Sequence, residues 1–87
     1  MLKRTVLINN PLGLHARPAA NLVTICSCFK SVITIIFNGK IYNAKSAISL
    51  MMAGIKSGSE VELIVDGVDE YTAIEEIEQA ITGGLGE

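Results

Sequence analysis

With 87 residues the chain has room for one hydrophobic core and not for two, since an independent core needs on the order of 100 residues. A composition of 49% hydrophobic and 18% charged residues, with 5% aromatic, excludes disorder and predicts an interior of Ile, Val, Leu, Met and Ala. A formal net charge of −2, with no cluster of Lys or Arg, leaves no electrostatic footprint for a nucleic-acid partner.

Leu2 to Ile8 alternates as a strand does, with Val6 and Ile8 on one face. Polar Asn9 and Asn10 follow too soon for a secretory signal to develop, so export is not expected and the protein is placed in the cytoplasm. Asn9-Asn10-Pro11-Leu12-Gly13 breaks the strand into a loop. From about His15, apolar residues at Ala16, Ala19, Leu22, Val23, Cys26 and Phe29 recur at helical spacing, with Pro18 in the first turn, where its missing donor costs nothing. On that helix Cys26 and Cys28 point about 200° apart, so they can neither pair nor share a metal, and both are expected to be reduced.

Val32 to Phe37, then Asn38-Gly39, then Lys40 to Asn43 spell a hairpin with a two-residue turn. The apolar run here is about a third of the ~20 residues a membrane helix needs, so no membrane insertion is expected. Ser46 before Ala47–Ala53, with Gly54 after it, is the cap-and-stop pattern of a short helix. Lys56-Ser57-Gly58-Ser59 turns into a strand from Glu60 to Asp66, with Val61, Leu63 and Val65 on one face. Asp69 is expected to cap a last helix carrying the stripe Ala73, Ile74, Ile77, Ala80 and Ile81, which Gly83-Gly84 ends. The order β-α-β-β-α-β-α predicts an α+β fold: one domain spanning residues 1–87, an open-faced β-sandwich whose four-stranded antiparallel sheet carries three helices on one face.

The chemistry centres on His15, the one histidine, where a Pro/Gly loop meets a helix N-terminus. Unpaired amides and the positive helix end favour an anion there over an imidazolium, and a neutral imidazole is a competent nucleophile. Arg17 adds a planar, permanently charged fork able to hold two phosphate oxygens. On geometry alone, a polar cap and a solvated charge are the better account of these residues. The continuous string Gly13-Leu14-His15-Ala16-Arg17-Pro18-Ala19-Ala20, however, resembles the phosphorylation site of the histidine-containing phosphocarrier (HPr) family of bacterial phosphotransferase systems. The resemblance continues through Asn38-Gly39-Lys40, Asn43-Ala44-Lys45-Ser46, Met51, Asp66-Gly67 and Asp69-Glu70.

That resemblance implies a carrier and not a stand-alone enzyme. A ring nitrogen of His15 would accept a phosphoryl group from enzyme I, Arg17 would hold it, and acceptors of the IIA or IIB type would receive it, without cofactor or metal. It implies a regulatory role for Ser46, phosphorylated in some members by a dedicated serine kinase and reset by a phosphorylase, although Ala47, Ser49 and Met52 depart from the regulated pattern. It also makes Ala47, Ile48 and Met51 an exposed docking patch beside His15, with Leu50 and Ala53 turned to the sheet, where the bland alternative is that all are core. A monomer is expected. Two other readings stay open: a nitrogen-branch paralogue with the same His15 relay, to which Leu12 and the Gly-containing acidic C-terminal end are similar, and a regulatory binding module acting through Ser46.

Overall fold

The computed structural model describes residues 1–86. Its elements are β1 (Leu2–Ile8), α1 (Ala16–Cys26), β2 (Val32–Phe37), β3 (Lys40–Asn43), α2 (Ala47–Met52), β4 (Ser59–Asp66) and α3 (Glu70–Thr82). All four strands join one antiparallel sheet in the order β1-β4-β2-β3, so the last strand is inserted between the first two.

Alternation decides which face is covered. Val6 pairs with Val61, Leu63 with Ile35, and Val65 with Ile33, and these side chains are all buried. Their neighbours Lys3, Thr5, Glu60 and Glu62 are exposed on the other face. The helices close the inner face with Ala19, Leu22 and Cys26 from α1, Leu50 from α2, and Ala73, Ile74, Ile77 and Ile81 from α3, all in one core. The open-faced α+β sandwich expected from the element order is thus the observed architecture. Arg4 falls on the covered face, at its rim, and its guanidinium bridges Glu75 and Glu78 of α3 at 2.6 Å each. That fork ties the edge strand to the helix lying over it, and it holds the Glu75 carboxyl below the usual carboxylate range.

Asn38 and Gly39 both have positive φ, 52° and 76°, as a two-residue turn with mirror-image geometry requires. Two details differ from the expectation. Helix α1 stops at Cys26, and Phe29 packs half-buried from the turn beyond it, because the Ser27–Phe29 amides close tight turns onto Val23, Ile25 and Cys26. Asp69 holds the N-cap position of α3 but makes no side-chain cap. Its carboxylate reaches across to the Lys30 N–H at 2.8 Å, the Ser31 N–H at 3.0 Å and the Ser31 hydroxyl. These donors, the hydroxyl foremost, hold the Asp69 carboxyl below the usual range.

Candidate functional site

The loop between β1 and α1 is fixed at both ends before it reaches His15. Asn10, 1% exposed, donates from Nδ2 to the Gly84 carbonyl at 2.7 Å, and Asn9 donates to Thr82 at 3.3 Å, clipping the loop to the end of α3. The Gly13 N–H returns to the Asn10 carbonyl at 2.9 Å, and the Leu14 N–H donates to the Ile55 carbonyl at 2.9 Å. Buried Leu14 anchors the turn from below. Gly13 has φ +70°, and a Cβ there would fall 2.3 Å from the Ile55 oxygen and 2.9 Å from the Lys56 Cα, so no other residue fits without moving one loop off the other.

His15 then takes the N-cap position of α1 in an extended conformation, φ −79° and ψ −171°. Its carbonyl accepts from Ala19 at 3.0 Å, opening the helical ladder, while its side chain makes no cap bond. The half-buried imidazole instead lines an open groove of about 530 Å³ together with Leu12, Met51, Ile55, Lys56 and Ser57. Arg17 is exposed in the first turn of the same helix, which contains no acidic residue, and Pro18 is buried behind it. An imidazole lining the groove, a permanently charged planar guanidinium two residues later and the positive helix end thus belong to one turn of the chain. Such a site suits transfer of an anionic group to nitrogen.

Helix α2 brings the other candidates only partly together. The Ser46 hydroxyl accepts from the Ser49 N–H at 3.2 Å, a regular N-cap, and the Ser49 hydroxyl accepts from the Asn43 N–H at 3.0 Å, fastening the helix start to β3. Leu50 is fully buried and Ala53 packs on the core, whereas Ile48 is 69% and Met51 43% exposed and Ala47 is half-buried. Met51 reaches the His15 groove. Ser46 and Ala47 stand at the opposite end of the helix, about 6–8 Å from Met51 along its axis.

Sequence reasoning passed over several groups. Leu12, 78% exposed, adds an apolar side chain to the rim of the His15 groove, and Met52, also 78% exposed, follows Met51 at the end of α2. Lys56 and Ser57, taken only as a turn, line the groove because their loop packs against Gly13. Asn9 and Asn10 were legible as loop residues, but no local signal marks Asn10 as buried. The cysteines are unpaired: burial pushes the Cys26 thiol up to about 12, and Cys28 is exposed. Among the described residues no three His, Cys, Asp or Glu side chains gather as metal ligands, and no helix is long and apolar enough to cross a membrane.

A family model described as the PTS HPr component phosphorylation site matches residues 2–83. The phosphocarrier protein HPr of Buchnera aphidicola subsp. Acyrthosiphon pisum is 43% identical over 82 residues, covering 94% of this chain and 96% of its own. The crystal structure of HPr-C-His from Thermoanaerobacter tengcongensis superposes with a TM-score of 0.95 at 40% identity, over 100% of this chain and 98% of that one. Crh, a Bacillus subtilis catabolite repression protein described as a dimer with a swapped domain, matches with a TM-score of 0.78 at 36% identity, over 97% of each chain.

Proposed function

The chain belongs to the HPr family of phosphotransferase-system phosphocarriers, and from that premise we propose that His15 is its phosphoryl acceptor, loaded by enzyme I and discharged to IIA-type proteins. The observation that supports this reading is the placement of His15 at the N-cap of α1, lining the groove, with Arg17 in the first turn of the same helix. In the loading step the lone pair of a ring nitrogen forms the P–N bond as the bond from phosphorus to the donor breaks, leaving its electron pair on the donor. Arg17 and the helix N-terminus hold the phosphoryl oxygens, so the protein contributes position and charge while the partners supply the driving force. The product is a phosphoramidate of high transfer potential.

Ile48 and Met51, with Ala47 at their edge, are the docking surface in this reading, and the capped hydroxyl of Ser46 is a regulatory acceptor at its far end. The carrier works in the cytoplasm, where its donor and acceptors meet. It relays as a monomer, which leaves the groove open, although relatives with dimeric structures make sedimentation of this chain a necessary measurement. Incubation with enzyme I and phosphoenolpyruvate tests the central step: one acid-labile, alkali-stable phosphate should be added to the wild type and none to His15→Ala. Label retained by His15→Ala would refute the assignment.

A further inference from the structure

We infer that Lys56 is a second phosphoryl-binding cation of the His15 site, an inference that rests on the proposed relay. Lys56 lines the same groove as His15, and its backbone is held there by contacts that leave the loop little freedom. Its Cα lies where a Gly13 Cβ would come within 2.9 Å, only two positions before His15. Ile55 next to it accepts from the Leu14 N–H at 2.9 Å. On the other side, the Gly58 N–H donates to the Ile8 carbonyl at 2.8 Å and the Ser59 N–H to the Lys56 carbonyl at 3.1 Å. Both flanks of Lys56 are thus bonded to the segment that delivers His15.

Charge favours a phosphoryl ligand over a structural role. Among the described residues Lys56 forms no ion pair, unlike Arg4, and its side chain is exposed. Among the described residues no carboxylate lines the groove. An ammonium on a flexible four-carbon stem beside a group that gains two negative charges stabilises the dianion over the monoanion. Arg17 stands two residues after His15 on the helix, while Lys56 lines the groove from the loop leaving α2, so the two cations would reach the phosphoryl oxygens from different elements.

The test uses the intact protein without a partner. Potassium phosphoramidate loads His15 chemically: the new P–N bond to the ring forms as the P–N bond of the reagent breaks and ammonia leaves. Titration of the phosphoryl resonance by phosphorus NMR then gives the pKa of the bound group. Lys56→Gln should raise that pKa by roughly 0.5 at low salt, with the difference shrinking at high salt, while Lys56→Arg and the distant control Lys3→Gln match the wild type. An unchanged titration in Lys56→Gln, or an equal rise in Lys3→Gln, overturns the inference. So does a defect confined to transfer from enzyme I, which would make Lys56 a docking residue. If enzyme I fails to load the wild type while the chemically loaded protein still shows the Lys56 shift, the relay reading falls and the phosphoryl site stands.

Discussion

A Cβ on Gly13 would stand 2.3 Å from the Ile55 carbonyl oxygen, the same oxygen that accepts the Leu14 N–H. The loop entering the site and the loop leaving α2 are therefore in backbone contact, and His15 is placed by both. Gly13→Ala should cost about 2–4 kcal/mol, combining the overpacking with the positive φ. Gly39→Ala, at φ +76° with nothing within 4 Å, pays only the conformational part, about 1 kcal/mol. Thermal melts of the two variants check the difference, and only Gly13→Ala should also shift the His15 ring resonances and slow phosphorylation.

Arg17 is expected to act on transfer and not on folding, because it is exposed in the first turn of α1. Loss of a charge-assisted contact costs about 1.5–3 kcal/mol, or roughly ten- to a hundredfold in rate. Arg17→Ala should show that loss with an unchanged Tm, and Arg17→Lys should recover part of it, since the charge returns without the planar fork. Equal rates in all three proteins would remove Arg17 from the mechanism.

Local signals made most of the scaffold readable. Asn38-Gly39 specifies its turn because few residues tolerate two successive positive φ angles, and Ser46 marks the start of α2 because its hydroxyl satisfies an otherwise unpaired amide. Alternation in Val61, Leu63 and Val65 identified the covered face of β4 without knowledge of its partners. Contacts between residues distant in the chain were not readable. Asp69 has the identity and position of a cap, yet donors 38 and 39 residues earlier outcompete its own helix. Asn10 looks like any loop asparagine until α3 brings Gly84 to it. The groove half made by Lys56 and Ser57 was invisible for the same reason, since only the folded chain sets that turn against Gly13.

The Asp69 carboxyl gives stability an acid dependence of defined sign. Its folded pKa lies below the usual value because the Ser31 hydroxyl and the Lys30 and Ser31 amides bind the charged form. A depressed carboxylate contributes stability that is fully present above its unfolded pKa, about 3.9, and is lost as pH falls through the lower folded value. Asp69→Asn should therefore lower the Tm at neutral pH and show a shallower loss below about pH 4. Parallel Tm-versus-pH curves for the two proteins would show that the carboxylate charge does not matter.

The exposed side of α2 should behave as an interface and not as core. Ile48→Glu and Met51→Glu are expected to change stability by no more than about 0.5 kcal/mol, as surface substitutions do, while weakening enzyme I binding by roughly tenfold or more. Met51 also lines the His15 groove, so its variant should slow phosphoryl transfer at saturation as well, which Ile48→Glu should not. Titration calorimetry with enzyme I, alongside thermal melts, separates these effects. A large drop in Tm for either variant would place that side chain inside.

A negative charge at Ser46 should inhibit relay through His15 by hindering docking while leaving α2 folded. The Ser46 oxygen accepts the Ser49 N–H at the helix N-terminus, where a carboxylate or phosphate oxygen can take over the same bond and gain from the positive helix end. Folding is thereby spared. Yet a phosphate adds about −1.5 to −2 charges one residue from Ala47 and two from Ile48, on the rim of an apolar contact surface. Ser46 lies at the far end of α2 from Met51 and the groove, so the imidazole itself should be little altered. Ser46→Asp, whose single charge understates a phosphate, should raise the KM for this carrier with enzyme I more than it lowers kcat. Ser46→Ala should lose about 1 kcal/mol of cap energy and remain an active carrier. Efficient phosphorylation of Ser46→Asp at low carrier concentration would reduce Ser46 to a structural cap, whereas a kcat loss at unchanged KM would mean that the charge reaches His15 through the helix and not through the partner.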